Sequence, residues 1–299
     1  MQYTKLLPDN YPYLLKQLDK QPPYLYIAGA PIPYPDKNYK FLCVVGARKY
    51  SDYGKRVCYE LIRGLKNYPI VIVSGLALGI DSLAHTAALE NGLQTIAIPG
   101  SGLDDNVIYP RSHYLLAKHI IESGNTLLSP FEPDQNSTKW TFPVRNQLMA
   151  GISHATLVIE GRQKSGTLLT AQNAIDMNRD VYIVPGSIFS DLSYGPHTLY
   201  SQGAKPVMNA KDILEYLDLD IHEEHTDRTV AIFERAMKSL PDDQKIILRE
   251  LQFKPMSSTD LIDKLGISAT YFNVLATKLE LYGIISESHG IYKIDAGTN

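Results

Sequence analysis

The sequence predicts an α/β protein, a doubly wound and mostly parallel sheet followed by a small domain of another kind. Two observations carry that prediction. From residue 41 to residue 217, short apolar runs alternate with segments of helical length. Strands that are apolar at every position belong in a parallel sheet covered on both faces. Beyond an acidic stretch near residue 220 the pattern changes to three helical segments and two short strands.

The strand-like runs are FLCVVG (41–46), IVIVSG (70–75), LQTIAIPG (93–100), NTLLSP (125–130), ATLVIEG (155–161) and DVYIVPG (180–186). Between them, Asp52–Lys66, Asp81–Asn91, Ser112–Glu122, Arg145–Ile152 and Thr167–Asn178 read as helices. Strict alternation of this kind describes a Rossmann-like domain, taken here as residues 41–217 and closed by a helix over Ala210–Leu217. Residues 1–40, rich in proline and tyrosine, read as a helix and an extended strap packed against the sheet. Residues 218–230 are acidic, lack apolar periodicity and read as a linker. In residues 231–299, helices are expected over Pro241–Gln252, Ser258–Leu265 and Ala269–Tyr282, then a hairpin over 283–294 turning near His289–Gly290. Three helices and a hairpin in that space describe a winged helix-turn-helix.

A chain of 299 residues exceeds the usual single domain, and 44% hydrophobic residues suffice for a sizeable core. Cys43 and Cys58 have no partner at metal-ligand spacing and read as buried, reduced thiols. No basic-then-apolar leader is seen, and no apolar run approaches the roughly 20 residues that span a membrane. A cytoplasmic protein without membrane contact is expected. Residues 218–299 hold nine basic and fourteen acidic side chains, a net of −5, which leaves 20 against 18, a net of +2, in residues 1–217. Any site for a polyanion must therefore be a local pocket and not a broad positive face.

In a doubly wound sheet ligands bind where strands end and helices begin. Four such turns are rich in small residues: GARKYSDYG (46–54), SGLALGID (74–81), PGSGLDDNVIYP (99–110) and EGRQKSGTLLTA (160–171). Glycine admits close backbone approach, hydroxyls add donors, and Arg48 and Lys164 bring charge to the rim. A phosphate-containing ligand is expected there. The dinucleotide fingerprint G-x-G-x-x-G and the phosphate loop G-x-x-x-x-G-K-[ST] are both missing, and no cofactor is expected. In KWTFPVRNQLMAGIS (139–153), Lys139, Phe142 and Arg145 fall within seven residues, ahead of a helix whose first turn would hold Arg145 and Asn146. Cations for phosphates and a ring for a base are what a single strand requires. Read by itself the segment is equally compatible with core aromatics beside solvated charges.

Six motifs in order, VGARKYSDYG, SGLALGIDSLAH, IPGSGLDDNVIYP, FPVRNQLMAGIS, VIEGRQKSGTLLTA and IVPGSI, resemble the DNA-processing protein A family, also called Smf, over roughly residues 10–217. The resemblance implies a non-enzymatic, single-stranded-DNA-binding protein of natural transformation, a homodimer that protects incoming DNA and loads the RecA recombinase. It also implies a pocket using Arg48, Lys139 with Phe142, and Ser165, Gly166 and Thr167, shaped or lined by Gly46, Ser51, Gly75, Asn146 and Gly161. The chain departs from the pattern in its short N-terminus, which leaves the extra helical domain of many members absent or reduced. Its tail, residues 231–299, has eight basic and nine acidic residues, and the expected recognition helix carries Lys278 as its only cation. That charge suits a protein contact or self-packing better than duplex DNA.

Two other functions compete with this one. Related phosphoribohydrolases carry P-G-G-x-G-T-x-x-E, whose glutamate acts at the sugar; Thr170 stands at that place here, and Glu160 lies on the wrong side of the loop. Asp81 and Asp104 are expected to cap helices or brace turns, and His85 to be a hydrogen-bonded helix residue. A small-nucleotide sensor is the third reading. Eight histidines without an H-x-x-x-H pair give no expectation of a metal.

Overall fold

The structure, a computed structural model, describes residues 1–32, 39–220, 236–237, 240–251, 255–288 and 290–294. It divides into two compact units, Met1–Ile221 and His222–Asn299.

All six expected strands form: β3 (Lys40–Val45), β4 (Ile70–Ser74), β5 (Gln94–Ala97), β6 (Thr126–Ser129), β7 (Ala155–Val158) and β8 (Asp180–Ile183). They pair in parallel. Three further strands complete the sheet: β1 (Tyr3–Leu6), β2 (Leu25–Gly29) and β9 (Lys205–Pro206). The order is β1-β2-β6-β5-β4-β3-β7-β8-β9. The chain thus builds outward from β3 to β6, then crosses back to lay β7 on the other side of β3. The switch point between β3 and β7 is where a doubly wound sheet opens a crevice.

The continuous apolarity of these strands has a direct cause. Phe41, Cys43 and Val45 of β3, with Val71 and Val73 of β4, pack on one face of the sheet. Leu42 and Val44, with Ile70 and Ile72, pack on the other. The first face is covered by α5 (Thr141–Ile152), α6 (Gly166–Asp176) and α7 (Tyr194–Ser201), with the single turn α1 (Tyr13–Lys16) against it. The second is covered by α2 (Asp52–Arg63), α3 (Ile80–Glu90) and α8 (Ala210–Tyr216). Helix α4 (Tyr114–Glu122) seals a satellite cluster over β2, β5 and β6. Each large side chain buried this way contributes about 1.5–3 kcal/mol.

The N-terminal segment differs from expectation. Residues 3–6 and 25–29 are antiparallel strands that extend the sheet beyond β6, and the helix is one turn. Buried Leu25, Tyr26 and Ala28 explain the pairing, which proline-rich flanks obscured. Residues 33–38 of the strap lie outside the described residues. Helix α5 starts at Thr141, not Arg145. Pro143 falls in its first turn, where a missing N–H costs nothing.

The second unit holds α9 (Asp242–Leu251), β10 (Met256–Ser257), α10 (Ser258–Leu265), α11 (Ala269–Leu281), β11 (Ile285–Ser288) and β12 (Ile291–Ile294). The hairpin of β11 and β12 is joined by β10 in a three-stranded antiparallel sheet, a strand too short to leave a periodic signal. Ser257 and Ser268 cap α10 and α11, and Phe272, Leu275 and Leu279 anchor the core with Ile247 and Leu248. The expected turn residue His289 and most of the expected linker, 221–230, lie outside the described residues.

Candidate nucleic-acid interface

A cavity of about 370 Å³ opens at the switch point. The turn after β3 supplies Gly46, Arg48 and Lys49, and the loop after β7 supplies Arg162, Lys164 and Ser165 with Gly166 and Thr167 of α6. Helix α5 adds Phe142, Arg145 and Asn146 from its first two turns. Among the described residues, five cationic side chains and one carboxylate, Asp81, line it. A chain of net charge −3 thus concentrates positive charge in one crevice, the local form that a near-even balance over residues 1–217 leaves open to a polyanion site.

Hydrogen bonds close the crevice around its floor. Thr167 Oγ1 donates to the Gly46 carbonyl at 3.1 Å, and Asn146 Nδ2 donates to that of Gly166 at 3.3 Å. The first turn, α5 and the fourth turn are thereby linked. Ser51 caps α2 and also gives both its N–H, at 3.0 Å, and its hydroxyl to the buried Glu160 carboxylate at the end of β7. Gly161 bonds the far side of the loop through Leu192 and Gly195, both at 2.7 Å. Ser51 and Gly161 thus shape the cavity without lining it.

Arg145 is buried. Its guanidinium donates to the carbonyls of Gly75 and, at 3.0 Å, Ile98, and lies 3.9 Å from Asp81. Asp81 in turn accepts from the Gly75 N–H at 3.1 Å. Burial pushes the Asp81 carboxyl up and the Arg145 guanidinium down, and each partner opposes the other's shift. A side chain at Gly75 would collide with Arg145, so the turn after β4 needs glycine. Arg145 is thus a brace in the cavity floor, whereas Arg48 and Arg162 are exposed at its rim. Asp81 braces this turn, as expected.

Phe142 is half-buried. The Arg48 guanidinium lies 5.5 Å from its ring centroid, Arg145 6.0 Å, and the Tyr109 ring meets it edge-on at 5.8 Å. Lys139 does not join them. It is exposed in the turn ahead of α5 and lines no part of the cavity, because the helix begins at Thr141 and leaves it outside. The expectation of Arg48, Lys139 and Phe142 in one cavity is corrected to Arg48 and Phe142. Trp140 is also exposed and packs edge-on against Phe131 at 5.5 Å.

The two helices that start at the switch point are not equivalent. The start of α2 already holds the Glu160 carboxylate. Ser165, at the start of α6, makes no side-chain cap, and its Oγ is buried without a hydrogen-bond partner. The start of α6 is thus held by no side chain, and a helix start without a cap favours an anion through its dipole. Lys49 and Arg162 line the cavity and were not singled out in the sequence, although both lie inside its glycine-rich turns. His85 is buried, with Nδ1 2.8 Å from Thr95 Oγ1, and burial pushes it down to about 3, so it stays neutral as a helix-packing residue.

Fold and site together define a class: a Rossmann-like protein with a cationic switch-point cavity. The family model described as DNA recombination-mediator protein A matches residues 2–218, and this chain belongs to that family. It is 39% identical over 211 residues to DNA processing protein DprA of Streptococcus pneumoniae, covering 70% of this chain and 72% of that one. The Bacillus subtilis DprA is 38% identical over 208 residues, 70% of this chain and 68% of the relative. The solved S. pneumoniae DprA superposes with a TM-score of 0.65 at 35% identity, covering 74% of this chain and 76% of that one. A Helicobacter pylori DNA processing protein A, described for its single-stranded DNA binding mode, gives 0.64 at 28% identity, covering 74% and 98%. Among the described residues no helix is long and apolar enough to cross a membrane.

Proposed function

We propose that this protein is a non-catalytic, single-stranded-DNA-binding recombination mediator that protects incoming DNA and passes it to RecA during natural transformation in the cytoplasm. The observation that carries the reading is the switch-point cavity, where an open helix start, exposed cations and Phe142 converge. A phosphate rests at the start of α6 against Ser165 and Lys164, with Arg48, Lys49 and Arg162 taking its neighbours. A base stacks on Phe142 once Arg48 turns from the ring to a phosphate. Lys139 lies outside the cavity and meets the strand beyond it. Stacking is worth about 1–3 kcal/mol per base, and each phosphate neutralised adds about 0.7 to the salt slope.

The family's description as a recombination mediator, and the H. pylori relative, support the single strand as ligand. Against catalysis, Thr170 Oγ1 is bonded to the Gly166 carbonyl at 3.2 Å, and the nearby carboxylates Asp81 and Glu160 are both engaged. The sheet unit is read as a homodimer. The second unit is read as a winged helix that contacts protein, since Tyr271, Val274 and Leu281 are exposed along α11.

The test is binding to oligo-dT and to duplex by the wild type and the Arg48→Ala/Lys164→Ala double variant. Tight binding that prefers the single strand is expected, with the variant weakened about a hundredfold and its salt slope shallower by about 1.4. Equal binding by the two proteins ends the pocket assignment. Release of free base from nucleoside monophosphates overturns the non-enzymatic reading.

A further inference from the structure

Outside the main cavity lies a smaller cleft, of about 20 Å³, lined by Leu78, Gly100, Tyr109 and Pro110. It shares Arg48, Ala77, Phe142 and Arg145 with the main cavity, so the Arg48–Phe142 pair is the partition between them. The cleft has room for about one water and cannot take a base. Its walls, however, are unusual for a structural seam. Tyr109 stays 44% exposed and Leu78 47% exposed while lining it. The tyrosine ring stands at 63° to Phe142, so the two rings form a corner.

The loop that presents Tyr109 is held firmly. Gly102 and Asp104 donate their N–H groups to the Gln135 and Pro133 carbonyls at 2.8 and 2.9 Å. Asp105 accepts from the Tyr114 hydroxyl at 2.9 Å, and His113 Nδ1 lies 2.8 Å from the Leu76 carbonyl. A rigid, half-exposed aromatic costs little entropy to bury on binding. From these observations we infer that Tyr109 is a second base-stacking residue, so that a single strand crosses the Arg48–Phe142 partition and is gripped on both sides. One base stacks on Phe142 toward the main cavity, and the next stacks across the mouth of the cleft on Tyr109 and Leu78. The inference rests on the single-strand reading of the cavity.

The experiment measures oligo-dT affinity by anisotropy for Tyr109→Leu and Tyr109→Phe, with Arg48→Ala and Phe142→Ala alongside. Tyr109→Leu should bind about tenfold more weakly with an unchanged salt slope, and Tyr109→Phe should bind like wild type. A second measurement needs no variant: oligo-dT carrying 5-iododeoxyuridine is irradiated on the wild-type protein, and the crosslinked peptide should include Tyr109. Wild-type affinity in Tyr109→Leu, equal losses in the Phe and Leu variants, or crosslinks confined to other peptides overturn the inference. If Arg48→Ala and Phe142→Ala weaken binding while Tyr109→Leu does not, only this inference fails. If none of the three weakens it, the whole cavity reading fails with it.

Discussion

Two helices begin at the switch point on opposite faces of the sheet, each behind a serine, and they have opposite fates. Ser51 at the start of α2 is saturated by Glu160, while Ser165 at the start of α6 keeps an unpartnered hydroxyl. The cations divide the same way: Arg145 is turned inward onto two carbonyls and Asp81, whereas Arg48 and Lys164 are exposed. Identical residue types on one sheet edge thus serve either to hold the crevice or to face its contents. What separates them is whether a partner from another strand reaches them first.

The largest expected effect tests the engaged side. Arg145→Ala strands the Asp81 carboxylate in the interior and should cost about 3–5 kcal/mol, read as a shift in the urea midpoint. An acid limb should come next. The unfolded chain protonates His85 near its ordinary pH of about 6.5, but the folded chain resists until about 3. Stability from this residue is therefore complete above about 6.5 and falls by up to about 1.4 kcal/mol per unit as pH drops. His85→Gln should flatten that limb, and the limb should persist in variants of either helix start.

Glu160→Gln removes the charge on two hydrogen bonds and should cost about 1.5–3 kcal/mol, with thermal unfolding as the check. The comparison is sharpest in the two serines. Ser51→Ala should lose about 1 kcal/mol with little change in oligo-dT affinity. Ser165→Ala should change stability by less than about 0.5 kcal/mol yet weaken binding severalfold. Equal behaviour of the two serines in both assays would erase the distinction between a filled and an open helix start.

Much of this was legible in the residues. The six strands were, because parallel strands buried on both faces show no solvent-facing alternation to confuse the reading. Arg48 and Lys164 were legible because βα turns at a switch point carry their own local signature of glycine, hydroxyl and charge; Ser165–Thr167 lie in such a turn, but it was the family resemblance that pointed to them. Lys139 was misplaced by a boundary: helix α5 runs four residues further toward the N-terminus than its apolar pattern suggested, and Pro143 hid the start. The strand character of residues 3–6 and 25–29 was missed because it exists only through pairing with β6 and each other.

The amino-acid order by itself determined the layer architecture, the edge of the sheet that carries the site, and the residue types at its rim, all of which follow from short-range periodicity and turn chemistry. Tertiary structure alone decided which of those residues are free. Glu160 lies 109 positions from Ser51, and the Gly75 carbonyl 70 positions from Arg145. Contacts across such separations leave no trace in a local pattern, because they depend on which strand lies beside which once the sheet has closed.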